Sequence, residues 1–250
     1  MRKLSSSIVG RGKVILKEAG PVTLLRRSLS FLRWRFSFLE INIRHTANKW
    51  KYGEAAAPPF KIIELPPQNV IWWTDRYRKY SDVGKIEDGN WDLDLERVEN
   101  HLKYVAIENH FKHGVPWDET QLFSKFEKIL SEGGHVDGYH TMDQIYERYK
   151  KIDRIYENIN TEGFKDPVDT TESQLPKREA LDYPAVHIGR DGDFILACGW
   201  HRFAISRLLN IDKIPFRVIV RHLDWQMVRD QYLRSKPEDV PDDHPDLHDL

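Results

Sequence analysis

The sequence contains a single cysteine, Cys198, among its 250 residues. This count excludes an internal disulfide framework and any zinc site built from several cysteines. Nowhere do apolar residues run to the ~18 that a membrane-spanning helix needs. The basic N terminus also lacks the continuous apolar stretch and small-residue cleavage site of a secretory signal. We therefore expect a cytoplasmic protein, with peripheral attachment to a membrane as the alternative.

Charge is distributed unevenly along the chain, although the formal net charge is only −1. Residues 1–51 hold twelve lysines and arginines against two glutamates, whereas residues 236–250 hold one lysine against six acids. The basic segment indicates an anionic partner, and the acidic segment predicts a solvated, disordered tail. The composition as a whole, 40% hydrophobic and 31% charged, is ordinary for a globular protein with one substantial core.

The stretch 22–43 mixes bulky apolar residues with four arginines and contains neither proline nor glycine. It predicts an amphipathic helix whose apolar side carries Phe31, Trp34, Phe38 and Leu39. Three interpretations stay open for this helix: it packs on the rest of the chain, it lies on an anionic membrane surface, or it binds nucleic acid or another anion.

These features divide the chain into a basic amphipathic segment (1–52), a main domain (60–235) and an acidic tail (236–250). The intervening GEAAAPP, residues 53–59, is typical of a linker. A short strand, KIIEL, opens the main domain, and residues 76–148 form an insertion predicted to be mainly helical. Helical patterns cover about 95–112, 118–131 and 142–161.

The last third of the chain has the clearest pattern. DYPAVHIG (182–189) and FILACG (194–199) are strand-like and flank the turn RDGD, which predicts a β-hairpin. A helix follows at 201–209, then an apolar β-branched strand at 213–220 and a final helix at about 223–234. Strands and helices in this order predict an α+β fold with a mixed sheet.

The hairpin and the following helix meet at Gly199, Trp200, His201 and Arg202. A glycine lets the backbone approach a ligand closely, and the start of a helix presents free N–H groups at the positive end of its dipole. Arg202 is suited to bidentate phosphate binding, and His201 can donate a hydrogen bond or move a proton. The alternative interpretation is a structural strand-to-helix junction.

The order of hairpin, G-x-H-R turn, helix and I-P-x-x-V strand resembles the core of the ParB/sulfiredoxin superfamily. The segments FKIIELPPQNV (60–70) and IDRIYENINTEGFKDPV (152–168) are similar to elements that this family places upstream. The resemblance implies an α+β fold with a mixed sheet. It also implies that Gly199–Arg202 holds the phosphates of a nucleotide, ATP or CTP with Mg²⁺.

The sequence departs from two branches of that superfamily. Sulfiredoxins place their catalytic cysteine directly before the His-Arg pair, where this chain has Trp200. Strand alternation puts Cys198 on the same face as Trp200, and we expect it to be a small core residue rather than a nucleophile. Only thirty residues follow Val220, so we do not expect the helix-turn-helix domain that follows this core in chromosome-partitioning ParB proteins.

A third branch consists of small-molecule kinases with a similar G-x-H-R turn. Such enzymes need a carboxylate to activate the acceptor hydroxyl, for which Glu157 and Glu162 are the candidates. Asp88 and Asp92, in the loop GKIEDGNWD (84–92), are the candidate ligands of Mg²⁺. The alternative for this loop is a turn anchored by its tryptophan, with solvated acids.

The sequence thus favours a protein that binds a nucleotide or another phosphorylated ligand. Its chemistry would be phosphoryl transfer to a small molecule or nucleotide hydrolysis, with His201 orienting or neutralising a phosphate oxygen. Two alternatives from other classes remain: a DNA-associated ParB-like module, and a non-catalytic accessory protein at a membrane surface.

Overall fold

The computed structural model of the protein describes residues 36–77, 80–165, 183–235 and 243–250. Within these residues lie six α-helices: α1 (36–52), α2 (Leu102–His113), α3 (Gln121–Ser131), α4 (Met142–Glu162), α5 (Trp200–Leu208) and α6 (Leu223–Ser235). The strands are β1 (Ile62–Leu65), β2 (Trp72–Trp73), β3 (Lys85–Glu87), β4 (Glu96–Arg97), β5 (Ala185–Ile188), β6 (Phe194–Cys198) and β7 (Ile214–His222). The predicted α+β class with a mixed sheet is confirmed.

Seven strands form one open sheet in the order β1-β7-β5-β6-β2-β4, and β3 also pairs with β7. The pairs β1–β7, β5–β6 and β2–β4 are antiparallel, whereas β7–β5, β6–β2 and β3–β7 are parallel. The predicted hairpin is therefore present as β5–β6. Its turn needs Gly192, which has φ +88°, because a Cβ atom there would lie 2.8 Å from the Trp225 ring.

The sheet separates two apolar layers. Ile214, Phe216 and Val218 of β7 belong to the main core, which also contains buried residues of α2 to α6. Ile219 belongs to a second cluster on the other side, to which α1 contributes the fully buried Ile41. The alternation from Ile214 to Ile219 follows from the two-residue period of a strand that is covered on both faces, whereas Val220 belongs to the second cluster like its neighbour Ile219.

The insertion 76–148 is built into this architecture. It supplies β3, β4, α2 and α3, and both Ile107 and Phe123 are buried in the main core. The helix predicted from about residue 95 begins at Leu102, because residues 96–97 form β4 and pair with β2. Trp91 is 3% exposed and its indole nitrogen donates to the Glu87 carbonyl, so the loop 84–92 is anchored by its tryptophan.

The structure differs from the linker predicted at 53–59. Ala55 is fully buried, and its carbonyl accepts hydrogen bonds from Gln226 Nε2 at 2.9 Å and Arg229 Nε at 3.1 Å. A small apolar residue gives no sequence signal for such contacts, since the donors lie on α6, far along the chain. The segment is therefore part of the packed core of the described protein.

The expectation of a disordered acidic tail is wrong for residues 243–250. Asp246 is fully buried and Leu247 is 2% exposed in the main core. The cationic side chains of Arg221 and Arg229 neutralise the buried carboxylate of Asp246, which makes its burial tolerable. Residues 236–242 of the predicted tail, and residues 22–35 of the predicted N-terminal helix, lie outside the described residues.

Candidate functional site

Gly199 is the N-cap residue of α5 and has the left-handed backbone conformation, with φ +86°. A Cβ atom at this position would lie 2.4 Å from the Pro184 Cα atom. Only glycine adopts this positive φ without strain and also leaves room for the Pro184 backbone. The G-x-H-R turn thus has a structural reason for its glycine as well as the proposed functional one.

The left-handed turn at Gly199 also corrects the expected placement of Cys198. Trp200 is 5% exposed in the main core, whereas Cys198 is partly buried against the second cluster. Strand alternation ends at Gly199 because its backbone leaves the extended region, so the prediction that Cys198 and Trp200 share a face is wrong. Cys198 packs against apolar neighbours, as expected for a small core residue.

Two helix starts meet beside this turn. His101 is the N-cap of α2, with its Nδ1 accepting from the Lys103 N–H at 3.2 Å. Its ring stacks on that of Trp200, the first residue of α5, with centroids 3.7 Å apart and planes 8° apart. Trp73 packs edge-on against both rings, at 4.6 and 5.5 Å. The positive dipole ends of α2 and α5 therefore lie side by side.

His201 follows Trp200 at the start of α5 and faces α4, where its ring meets that of Tyr149 edge-on at 5.7 Å. Burial, reinforced by the nearby positive charges of Lys103 and Arg148, lowers the pKa of His201 to about 3. The imidazole is therefore neutral at pH 7. It can donate from one ring nitrogen and accept at the other, but it carries no charge to neutralise a phosphate.

In this part of the described structure, three enclosed nitrogen atoms lack a hydrogen-bond partner: the indole Nε1 of Trp73 and two nitrogens beside α4. Among the described residues, neither His201 Nε2 nor Arg148 Nε makes a hydrogen bond. Lys103 forms an ion pair with Asp137 at 3.4 Å, and Arg148 lies over the ring of Tyr139 at 5.9 Å. Since buried polar atoms are nearly always satisfied, these two nitrogens indicate a place where a polar ligand can bind.

We call this region the helix-start site. It comprises His101, Lys103, Asp137, Arg148, Gly199, Trp200, His201 and Arg202. Sequence reasoning identified the last four of these residues and missed the first four. The missed residues come from α2, α4 and the turn before α4, which lie far from residue 199 in the sequence. No local motif links them to it.

The structure does not bring Glu157 or Glu162 to the helix-start site. Both are exposed on α4, and Glu162 pairs with Lys165. At the rise of an α-helix they lie about 12 and 20 Å along the axis beyond Tyr149, the α4 residue that contacts His201. The carboxylate that does lie near His201 is Asp137, whose charge opposes the lowering of the His201 pKa.

Asp88 and Asp92 make contacts that do not fit a Mg²⁺ site. Arg190 Nε and Nη2 bond the Asp92 carboxylate at 2.7 to 3.2 Å, and the Arg190 N–H adds a bond of 2.8 Å. Burial alone would raise the pKa of Asp92, but these bonds hold it below its usual value. Asp88 Oδ1 accepts from the neighbouring Gly89 N–H. Over the described ranges, no group of three or more acidic, histidine or cysteine side chains could hold a metal ion.

A cavity of about 490 Å³ lies elsewhere, at the C-terminal end of α5, and includes Tyr104, Tyr156 and Arg207 in its lining. Arg207 is already engaged there, because it donates to the Val70 carbonyl and pairs with Glu99. The C-terminal end of a helix is also the negative end of its dipole. This cavity is therefore less suited to phosphate than the helix-start site.

The helix-start site combines amide donors, cations and a neutral imidazole, which is the chemistry that phosphate groups require. No family model, curated protein or solved structure matches this chain. In the part of the chain that the structure describes, no helix has both the length and the apolar content needed to cross a bilayer.

Proposed function

We propose that this chain is a ParB/sulfiredoxin-like protein that binds the phosphates of a nucleotide, or of another phosphorylated ligand, at the helix-start site. The observation that carries the proposal is the stacking of His101 on Trp200 at 3.7 Å, which holds the starts of α2 and α5 together. At the start of α5 no side chain caps the first amide groups, which have no intrahelical acceptor. At the start of α2 the Lys103 N–H is already bonded to His101 Nδ1 and the Tyr104 N–H to the His101 carbonyl. Both helix dipoles favour an anion at this point.

Side-chain charge supports the same proposal. Lys103 and Arg148 place two positive charges near His201, which is itself neutral, and Asp137 places one negative charge there. A net positive site attracts a polyphosphate, and arginine can bind two of its oxygens at once. Arg148 Nε and His201 Nε2 would gain the hydrogen-bond acceptors that they lack among the described residues.

In this proposal His201 positions phosphate by donating a hydrogen bond. Because the ring is neutral, its role is orientation in the free protein rather than charge neutralisation. A bound phosphate anion would raise the pKa of His201, since a nearby negative charge favours the imidazolium. Phosphoryl transfer or nucleotide hydrolysis would be the reaction, because such chemistry depends chiefly on positioning and charge stabilisation.

The ParB/sulfiredoxin resemblance also implies Mg²⁺, but Asp92 does not fit it because Arg190 holds both of its carboxylate oxygens. Among the described residues, Asp88 belongs to no group of three or more side chains that could hold a metal ion. Asp137 is the acid beside His201, so it takes the place of Glu157 and Glu162 as the residue that would act on an acceptor hydroxyl.

Isothermal titration calorimetry of the intact protein with ATP, ADP and CTP, each with Mg²⁺, tests the proposal. We expect saturable binding that weakens at least about tenfold in Arg148→Ala and in Arg202→Ala, since each loses a charge-assisted contact. Arg154→Ala, an exposed position on the same helix as Arg148, is the matched control and should bind normally. Circular dichroism should confirm that each variant is folded.

Failure of the folded intact protein to bind any of these nucleotides would remove the nucleotide proposal. Equal binding by the Arg148, Arg202 and Arg154 variants would place the ligand outside the helix-start site. Salt-sensitive binding of duplex DNA without nucleotide binding would favour the DNA-associated alternative instead.

A further inference from the structure

Helix α1 is fixed to the domain along one face. Ile41 is fully buried in the second cluster, and Tyr52 is 9% exposed. Arg44 Nη1 donates to the carbonyls of Ser81 and Val83 at 2.7 and 2.9 Å. Asn48 Nδ2 also donates to a carbonyl of the same loop, at 3.0 Å. These contacts hold the helix in one orientation on the sheet.

The opposite face of α1 is apolar and exposed. Phe36 is 62% exposed, Leu39 54%, Ile43 61% and Trp50 91%. Spacings of three, four and seven residues place these four side chains within about 60° of one another around the helix, on the side away from Ile41. We call them the outer stripe. The other large exposed apolar residues of the described protein lie outside α1: Leu93 in a loop, and Met227 and Leu233 six positions apart on α6.

The ends and edges of the outer stripe suit a lipid–water boundary. Trp50, whose ring is apolar and whose N–H is polar, lies at one end of it, and such rings favour the headgroup level of a bilayer. Lys49 and Lys51 are exposed beside it. From Phe36 to Trp50 the helix is about 21 Å long, which is long enough for it to lie flat in a headgroup layer rather than cross the bilayer.

The positive charge of the N-terminal segment indicates which kind of surface the outer stripe contacts. Residues 1–51 carry twelve lysines and arginines against Glu18 and Glu40. The sequence that leads into Phe36, VTLLRRSLSFLRWR, continues the mixture of bulky apolar and basic residues. Anionic headgroups attract such a segment, and the buried apolar area adds to the binding. A nucleic acid would satisfy the cations, but it offers no apolar surface of this length to cover the outer stripe.

We infer that the outer stripe of α1 inserts into the headgroup region of an anionic phospholipid bilayer and holds the domain at the membrane surface. The inference does not depend on the helix-start site, because α1 covers the other side of the sheet from the main core that contains Trp200. Nucleotide binding can therefore fail while membrane binding holds, and the reverse.

Vesicle flotation of the full chain tests this inference. The protein is mixed with vesicles of phosphatidylcholine alone or of phosphatidylcholine with phosphatidylglycerol. We expect it to float with the anionic vesicles. The triple variant Leu39→Ser, Ile43→Ser, Trp50→Ser should bind at least about tenfold more weakly, because it removes most of the apolar area of the stripe.

The control variant Leu93→Ser, Met227→Ser, Leu233→Ser removes as many exposed apolar side chains outside α1 and should float like the unmodified protein. The inference is overturned if the unmodified protein stays at the bottom of the gradient, or if both triple variants float equally. Equal flotation with neutral vesicles would remove the anionic preference. Concentration-dependent dimerisation that the α1 variant abolishes, without flotation, would assign the stripe to a second copy of the chain.

Discussion

Asp246 lies fully buried against Arg221, whose Nε donates to its carboxylate at 2.8 Å. Trp225 Nε1 donates to the same carboxylate at 3.0 Å, and Lys61 Nζ lies 3.4 Å from it. Arg229 completes the cluster at 3.3 Å. Residues from β7 and α6, together with Lys61 just before β1, thus converge on one acid in the last described segment and fasten that segment to the sheet.

Substitution of Asp246 should make the folded protein less stable. We expect Asp246→Asn to lower the free energy of unfolding by about 3 to 5 kcal/mol, because buried Arg221 then loses its counter-charge and buried Arg229 keeps only Asp249. Urea denaturation at pH 7 measures the change. Asp243→Asn, at an exposed position in the same segment, should change it by less than about 0.5 kcal/mol. A loss below about 1 kcal/mol in the first variant would contradict the structural role of this acid.

Stability should fall as the pH is lowered through the range in which histidine titrates. His187 is fully buried, and burial lowers its pKa to about 4. Below an unfolded-state pKa of about 6.5 the unfolded chain binds a proton that the folded chain does not. The free energy of unfolding therefore falls by about 1.4 kcal/mol for each pH unit until the pH reaches about 4. The similarly lowered pKa of His201 adds a second decrease of the same kind.

His187→Gln should separate the contribution of His187 from that of His201. The glutamine amide can still donate to the Arg76 carbonyl, which His187 Nε2 contacts at 3.1 Å, but it does not titrate. Urea denaturation between pH 7 and 4.5 should therefore show a slope that is shallower by about 1.4 kcal/mol per pH unit in the variant. Parallel curves for the two proteins would refute the burial effect.

Gly199→Ala should cost more than the same change at another left-handed glycine. At Gly199 the new Cβ atom would meet the Pro184 backbone at 2.4 Å, whereas at Gly114, which ends α2 with φ +71°, nothing lies within 4 Å. We expect Gly114→Ala to lower the free energy of unfolding by about 1 kcal/mol, from backbone strain alone. Gly199→Ala should lower it by at least about 2 kcal/mol more. Thermal unfolding of both variants measures the difference, and equal losses would show that the contact with Pro184 relaxes freely.

Asp92 should matter for stability and not for nucleotide binding. Asp92→Asn weakens the hydrogen bonds from Arg190, so we expect a loss of about 1 to 3 kcal/mol in urea denaturation. Asp88→Asn, at an exposed carboxylate, should have little effect. Calorimetry should show unchanged affinity of both variants for Mg²⁺-nucleotide. A tenfold loss of that affinity in either variant would restore the metal role that the sequence suggested for these two acids.

Local sequence determined the elements of the last third of the chain. The hairpin β5–β6, helix α5 and strand β7 lie close to their predicted positions, because β-branched alternation and the RDGD turn act between near neighbours. The left-handed backbone of Gly199 and its contact with Pro184 were not predicted, because the sequence indicated only that a glycine there lets a ligand approach the backbone.

Tertiary structure decided what those elements meet. The pairing of β1 and β3 with β7, the stacking of His101 on Trp200, and the burial of Asp246 all join residues that are far apart in the chain. The local sequences of these residues predict a short strand, an ordinary helix start and an acidic tail. Each of these three elements could equally well be exposed to solvent. Burial and charge pairing stabilise these contacts only when residues distant in the sequence come together in the folded chain. The local sequence pattern therefore does not predict them.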